Sequence, residues 1–307
     1  VPHKMVAETA AVKSPAITVP QVQRSFGFPA YFRQTLRIAW ESFKKIARNP
    51  IGLAPVAVVA LASAVFGDRI MTQFEIPMIP TTQQVLTYLA APVGNLSTAW
   101  AVISLLIVYF TGELVWQERE AGLSDLADAS PVPEWVLLNG KFLGVGLLIM
   151  AWMVLMMAGG IGMQLGLNYD KLEIGLYLQV LFGLQLTDYL LFALLALVVH
   201  AVVNQKYISY LVILLVFSFL AFPSLFKVEH KMLIFGADPG WWYTDMRGFG
   251  PTIGPWLWFK LYWISWALLL AVAARLFWAR GREQRLNYRL QSAQRRLTRS
   301  TIRVALI

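Results

Sequence analysis

Cysteine is absent from the sequence, which excludes disulfides, thiolate metal ligands and cysteine nucleophiles. Histidine is scarce: His3, His200 and His230 stand far apart, and no HExxH occurs, so no helix-borne zinc site is encoded. Charge is scarce too. Only 14% of the 307 residues are charged and 58% are apolar, whereas soluble domains carry about 25% charged residues. Both departures point to lipid as the solvent, and a mean hydropathy of +0.58 agrees. No signal-peptide pattern opens the chain. Its start at Val1, inside a proline-bearing stretch, leads to the expectation of a longer polypeptide.

What the sequence has is a series of apolar runs near the ~20 residues that cross a bilayer. The reading is an all-α polytopic membrane protein with six transmembrane helices, at 51–66, 99–117, 136–163, 174–200, 207–226 and 256–279. Residues 1–30, with Pro2, Pro15, Pro20 and Pro29, read as a linker. Residues 31–49 read as an amphipathic helix. Phe32, Leu36, Ala39, Trp40, Phe43 and Ile46 fall on one face, and Arg33, Arg37, Lys44 and Arg48 fall largely on the other. Placed just before a span, such a helix suits the membrane interface. Residues 50–280 form the six-span domain, and 281–307 a basic tail suited to anionic lipid.

Orientation follows from the basic residues, which favour the cytoplasmic side. Eight Lys and Arg precede Pro50, nine lie from Arg275 onward, and Arg119, Lys141 and Lys206 fall on the same side. Arg69, Lys171, Lys227, Lys231, Arg247 and Lys260 fall outside or at the outer ends of spans. Both termini are therefore expected in the cytoplasm, with the chain in the cell (inner) membrane.

One cytoplasmic segment runs against this bias. "GELVWQEREAGLSDLADASPVPEWVLLNGK", residues 112–141, holds Glu113, Glu118, Glu120, Asp125, Asp128 and Glu134 against Arg119 and Lys141. Gly122 tolerates the left-handed conformation that ends a helix. Ser124 or a neighbour can cap a new one, which Pro131 must stop. Pro133 suits the first position of the next helix, with Glu134 in its positive first turn. A short helix over about residues 123–130 is expected, with Leu123, Leu126 and Ala127 on one face and Asp125 and Asp128 beside it.

This stretch resembles the cytoplasmic loop of ABC type-2 transporter permeases. The matching residues are Glu118, Arg119, Glu120, Gly122, Leu123, Leu126, Ser130, Pro131, Val132, Leu137, Leu138, Gly140 and Lys141. The helix before the first span and the count of six spans fit the same family. The resemblance covers residues 30–280 in architecture and is specific mainly at 112–141. It implies a permease subunit of an exporter, whose coupling helix docks on a separate ABC ATPase subunit. Glu118, Glu120, Gly122, Leu123, Asp125, Leu126, Asp128, Ser130 and Pro131 would make that contact. ATP and magnesium would bind the partner, a second permease half would complete the path, and this chain would hold no cofactor and no nucleic acid. "YTDMRGFGP" (243–251), "LYW" (261–263) and the tail "LQSAQRRLTR" are similar to the permease half of bacterial fusions to a zinc aminopeptidase. No peptidase ligand or base is present, so no catalytic or metal-binding residue is assigned. The rivals to transport are a membrane-embedded enzyme, such as an intramembrane hydrolase or lipid transferase, which would need catalytic groups converging within the spans, and a membrane anchor or scaffold for a fused or associated peptidase domain.

Asp188, near the middle of the fourth span, is costly in lipid and needs a partner or a proton. With Gln185 one turn back, it marks either a translocation path or a helix–helix hydrogen bond that fixes packing. No His, Lys or second carboxylate is placed at membrane depth beside it. Glu113 reads as structural. His200, Asn204 and Lys206 read as a short cytoplasmic turn, either solvated or a second ATPase contact. The aromatics of 236–251 read as an interfacial belt or a gate, and the sequon Asn95-Leu96-Ser97 faces outward. Gly159, Gly160 and Gly162, with Met156, Met157 and Met163, allow close helix packing, in a dimer seam or within a tight bundle.

Overall fold

The computed structural model describes residues 27–73, 76–122, 132–203 and 205–277, together with the isolated residues 291 and 294. Among the described residues its α-helices are α1 (Phe28–Ala47), α2 (Pro50–Val65), α3 (Gly67–Ile70), α4 (Thr82–Leu89), α5 (Ala101–Glu120), α6 (Glu134–Gly166), α7 (Ile174–Val203), α8 (Lys206–Ala221) and α9 (Gly250–Phe277), with short 3-10 turns at Pro223–Phe226 and Lys231–Leu233. Beside them, two-residue strands at Thr72–Gln73 and Ile76–Pro77 pair antiparallel in one small hairpin. Helices α5, α6, α7 and α9 are long and apolar enough to cross a membrane, and the bent pair of α1 and α2 makes a fifth candidate. Helix α8 has 16 residues, so it spans only ~24 Å at 1.5 Å per residue, short of the ~30 Å hydrocarbon layer. Among the described residues, the chain is an all-α protein with four, and up to five, helices of membrane-crossing length.

The break between α1 and α2 has a local cause. Pro50 has no N–H to offer α1, so that helix cannot continue through it. Asn49 caps the next one, its side chain accepting from Ile51 N at 3.0 Å. The two helices meet at 65°. Both pack on α6, and glycines set how closely. A Cβ at Gly144 would lie 3.0 Å from the Ala39 carbonyl oxygen of α1; one at Gly159 would lie 2.9 Å from Ala60 Cα of α2. Trp152 of α6, fully buried, donates its indole N–H to the Gly52 carbonyl at 2.7 Å and pins the start of α2. The glycine cluster is thus occupied within the bundle: Gly159 and Gly162 receive α2, and Gly160 faces Leu89 of α4 and Tyr177 of α7.

Helix α1 divides its apolar residues between two environments. Ala39 and Ile46, with Thr35 and Ser42, are buried. Phe28, Phe32, Leu36 and Trp40, at four-residue spacing, stay exposed. The amphipathic helix therefore spends its small face on α6 and keeps the large apolar side chains outward.

Helix α7 is the hub, packing on α5, α6, α8 and α9. Its buried Tyr177, Tyr189 and Phe192 join Phe110, Trp152 and Phe217 in the main core. Helix α9 packs mainly on α7, and Leu257, Trp258, Leu261 and Leu268 remain outward. The connection between α2 and α5 is more structured than a short outer loop. Within it α4, capped by Thr81 on Gln84 N, buries Val85, Leu86 and Leu89 in the core.

Candidate functional site

The strongest concentration of chemistry lies away from the α5–α6 connection, around Asp188. Helix α7 is wound as a π-helix over Leu178–Gln185, immediately before this residue. Such wide turns often occur at functional sites because they re-aim the side chains that follow. Gln185 closes the wide turns and donates to the Ala91 carbonyl at 2.8 Å. Asp188, three residues on, meets the ammonium of Lys260 from α9.

Lys260 is buried, at 2% exposure, and holds a second carboxylate, Asp238, at 2.5 Å. It also donates to the Gly236 carbonyl at 2.8 Å. Its ammonium group thus faces two carboxylates and one carbonyl oxygen. The ring of Trp256, one turn earlier on α9, lies 5.5 Å from the nitrogen, within cation–π range. The side chains of Asp188 and Asp238 are 16% and 14% exposed. Two aspartates and one lysine leave this cluster with one excess negative charge.

These positions correct the expectation that Asp188 has no charged partner beside it. Helix α9 begins at Gly250, so Lys260 sits ten residues, or ~15 Å, inside it. Asp238 comes from the connection between α8 and α9, which folds back onto the bundle. Trp241, Tyr243 and Phe249 of that connection pack against the core. Gln83 of α4 donates to the Tyr243 carbonyl at 2.7 Å. The aromatic segment 236–251 is therefore a wall of the site, although Trp242 stays largely exposed.

Together these parts form a half-open cavity of about 690 Å³, lined by Gln83, Gln185, Asp188, Asp238, Trp241 and Tyr243 among others. Its size lies within the ~300–1,000 Å³ of small-molecule sites, and its aromatic side chains beside charged and amide groups fit that pattern. Sequence reasoning found Asp188, Gln185 and the aromatic segment, but missed Lys260 and Asp238. A signal for Lys260 was present: a lone lysine within the apolar run of residues 256–270 is as costly as a lone aspartate.

The second constellation gathers at the opposite end of the bundle, where α5 leaves toward α6. Glu118 pairs with Lys141 of α6 at 3.1 Å, and Glu120 with Lys206 of α8 at 2.6 Å. Gly122 adopts φ +68° just past the end of α5, a conformation cheap only for glycine. Pro133 caps α6 and Glu134 occupies its first turn. Leu123, Asp125, Leu126, Asp128, Ser130 and Pro131 lie outside the described residues, as do Asn204 and the basic tail except for two isolated positions.

Beneath this surface His200 departs from its expected place. It is buried at 1% exposure, so it is neither part of a solvated turn nor open to a partner. Its Nδ1 lies 3.3 Å from the Trp116 indole N–H and 2.8 Å from the Ser209 hydroxyl. Ser209 in turn donates to the Lys206 carbonyl at 2.7 Å. The imidazole ties α5, α7 and α8 together below the two ion pairs. Among the described residues, no group of three or more His, Asp and Glu is placed to hold a metal ion.

Comparison with protein-family models, with curated proteins and with solved structures finds no match to this chain.

Proposed function

We propose that the chain is the transmembrane permease subunit of an ATP-driven transporter of the ABC type-2 class, acting as an exporter. A separate ATPase subunit would bind ATP and magnesium, and a second permease half would complete the path. In this reading six segments cross the cell membrane, α2 and α8 included, with both termini in the cytoplasm. The chain itself hydrolyses nothing.

One observation carries the reading. The acidic segment that resembles the family's coupling loop leaves α5 through two ion pairs, Glu118 to α6 and Glu120 to α8. Whatever grips residues 123–130 therefore pulls on α5, α6 and α8 together, and all three pack on α7, the helix that carries Asp188. The helical arrangement, a kinked amphipathic helix ahead of a bundle with a half-open cavity at one end, is compatible with that role.

The test is co-purification of the full chain with its nucleotide-binding subunit, with ATP hydrolysis measured in the complex. Truncating Leu123 and Leu126 to alanine removes two apolar side chains, each worth about 1.5–3 kcal/mol when fully buried. The double variant should lose the ATPase while the protein still folds in the membrane. Asp125→Lys with Asp128→Lys should slow assembly more at low salt than at high. If both double variants bind the ATPase and stimulate hydrolysis like the wild type, the segment is only a connector. If the wild type holds no ATPase at all, the scaffold reading takes its place.

A further inference from the structure

The charge in the cavity is not balanced. Asp188, Asp238 and Glu229 all line it, whereas Lys260, which neutralises one of them, is not among its lining residues. Lys231 also lines it, but donates to the backbone carbonyl of Asp238 at 2.8 Å. Three carboxylates against two ammonium groups leave one excess negative charge. The lysine of the buried cluster already faces both aspartates and the Gly236 carbonyl.

The walls favour a positive ligand. Phe192, Phe235, Trp241, Trp242 and Tyr243 line the cavity. Aromatic faces attract cations through their quadrupole, most strongly for quaternary ammonium groups where water is excluded. Gln83 and Gln185 fix the rim through hydrogen bonds to backbone carbonyls and hold its shape without adding charge. A neutral ligand would gain from the aromatic walls but would leave the excess carboxylate uncompensated, at a desolvation cost. A cation with apolar substituents satisfies both.

We propose that this cavity is a binding site for an amphipathic organic cation, an amine or quaternary onium of small-molecule size. This deepens the transport reading by naming the class of cargo, and it rests on that reading only in calling the ligand cargo. The carboxylates of Asp188 and Asp238 supply the charge, and the tryptophans and tyrosine of 241–243 supply the cage. Lys260 holds the two aspartates together when the site is empty.

The test uses the purified full chain in detergent, without any ATPase, and equilibrium dialysis of radiolabelled tetraphenylphosphonium. Tetraphenylborate, nearly the same shape with the opposite charge, is the comparison. One saturable site per chain is expected for the cation and none for the anion. Asp188→Asn and Asp238→Asn should each weaken cation binding by about tenfold or more, since each removes the excess charge. Asp238 sits in a connection rather than a helix, so Asp238→Asn carries the charge test if Asp188→Asn fails to fold. Saturable binding of tetraphenylborate, absence of a saturable phosphonium site in the wild type, or unchanged cation affinity in folded Asp238→Asn would each overturn the proposal. Because no ATPase is present, such a failure leaves the transport reading standing. Cation binding without ATPase association would instead sink transport and keep the site.

Discussion

Lys260→Met keeps the length of the side chain and deletes its charge, so it isolates what the buried lysine does. In the native cluster Lys260 serves Asp188, Asp238 and the Gly236 carbonyl at once. Its removal leaves two largely buried carboxylates side by side and frees one carbonyl. Removing one partner of a buried ion pair costs about 3–5 kcal/mol, because the remaining charge is left uncompensated. Asp188→Asn is milder. The amide keeps an acceptor, and Lys260 retains Asp238 and Gly236, so the expected loss is about 1–2 kcal/mol.

The informative variant combines the two. Lys260→Met with Asp188→Asn returns the cluster to one negative charge, so the second change relieves part of the damage done by the first. The double variant should therefore be less destabilised than the sum of the single variants by about 1–3 kcal/mol, the range expected for groups in one network. Unfolding of the purified protein by sodium dodecyl sulfate in mixed micelles, followed by tryptophan fluorescence, measures all three. Additivity to within about 0.5 kcal/mol is the behaviour of independent sites. That result would refute the claim that these residues act as one electrostatic unit.

Two further predictions follow from packing and topology. Gly159→Ala should destabilise the protein by about 1–3 kcal/mol, the usual cost of overpacking, because its Cβ would meet backbone atoms of Ala60 that cannot yield; Gly183→Ala, where a Cβ meets nothing within 4 Å, is the control and should cost nothing in the same unfolding assay. In this naturally cysteine-free chain, a cysteine placed at Asp245 should react with impermeant maleimides in intact cells and one at Arg299 only with permeant ones; the reverse pattern would invert the orientation.

The parts of the fold that sequence made legible are those governed by one helix at a time. Apolar run length located α5, α6, α7 and α9, because lipid asks only that a single helix be long and greasy enough. The 3.6-residue period of 31–49 located α1. It did not reveal that Ala39 and Ser42 face Gly144 while Trp40 faces outward, since one apolar stripe looks the same whether it meets protein or lipid. Helix α4 escaped because its eight residues are too few for a periodic pattern to rise above its polar neighbours. Yet Thr81 ahead of Val85, Leu86 and Leu89 held both the cap and the buried face.

The site shows the same boundary more sharply. Asp188 was legible because a carboxylate in an apolar run is costly wherever its partner lies. Lys260 stands 72 positions later by its number, and no periodicity within α7 or α9 links the two. Near the end of a predicted span a lysine can also snorkel to water, so its own helix marked a cost without showing which residue would meet it. The demand came from the far side: the connection that carries Asp238 and Trp241 folds over the end of the bundle and closes off that water. The cost that marks Asp188 in the sequence is thus met by a residue whose own burial depends on a third segment. Such a three-body arrangement cannot be read from any single stretch of chain.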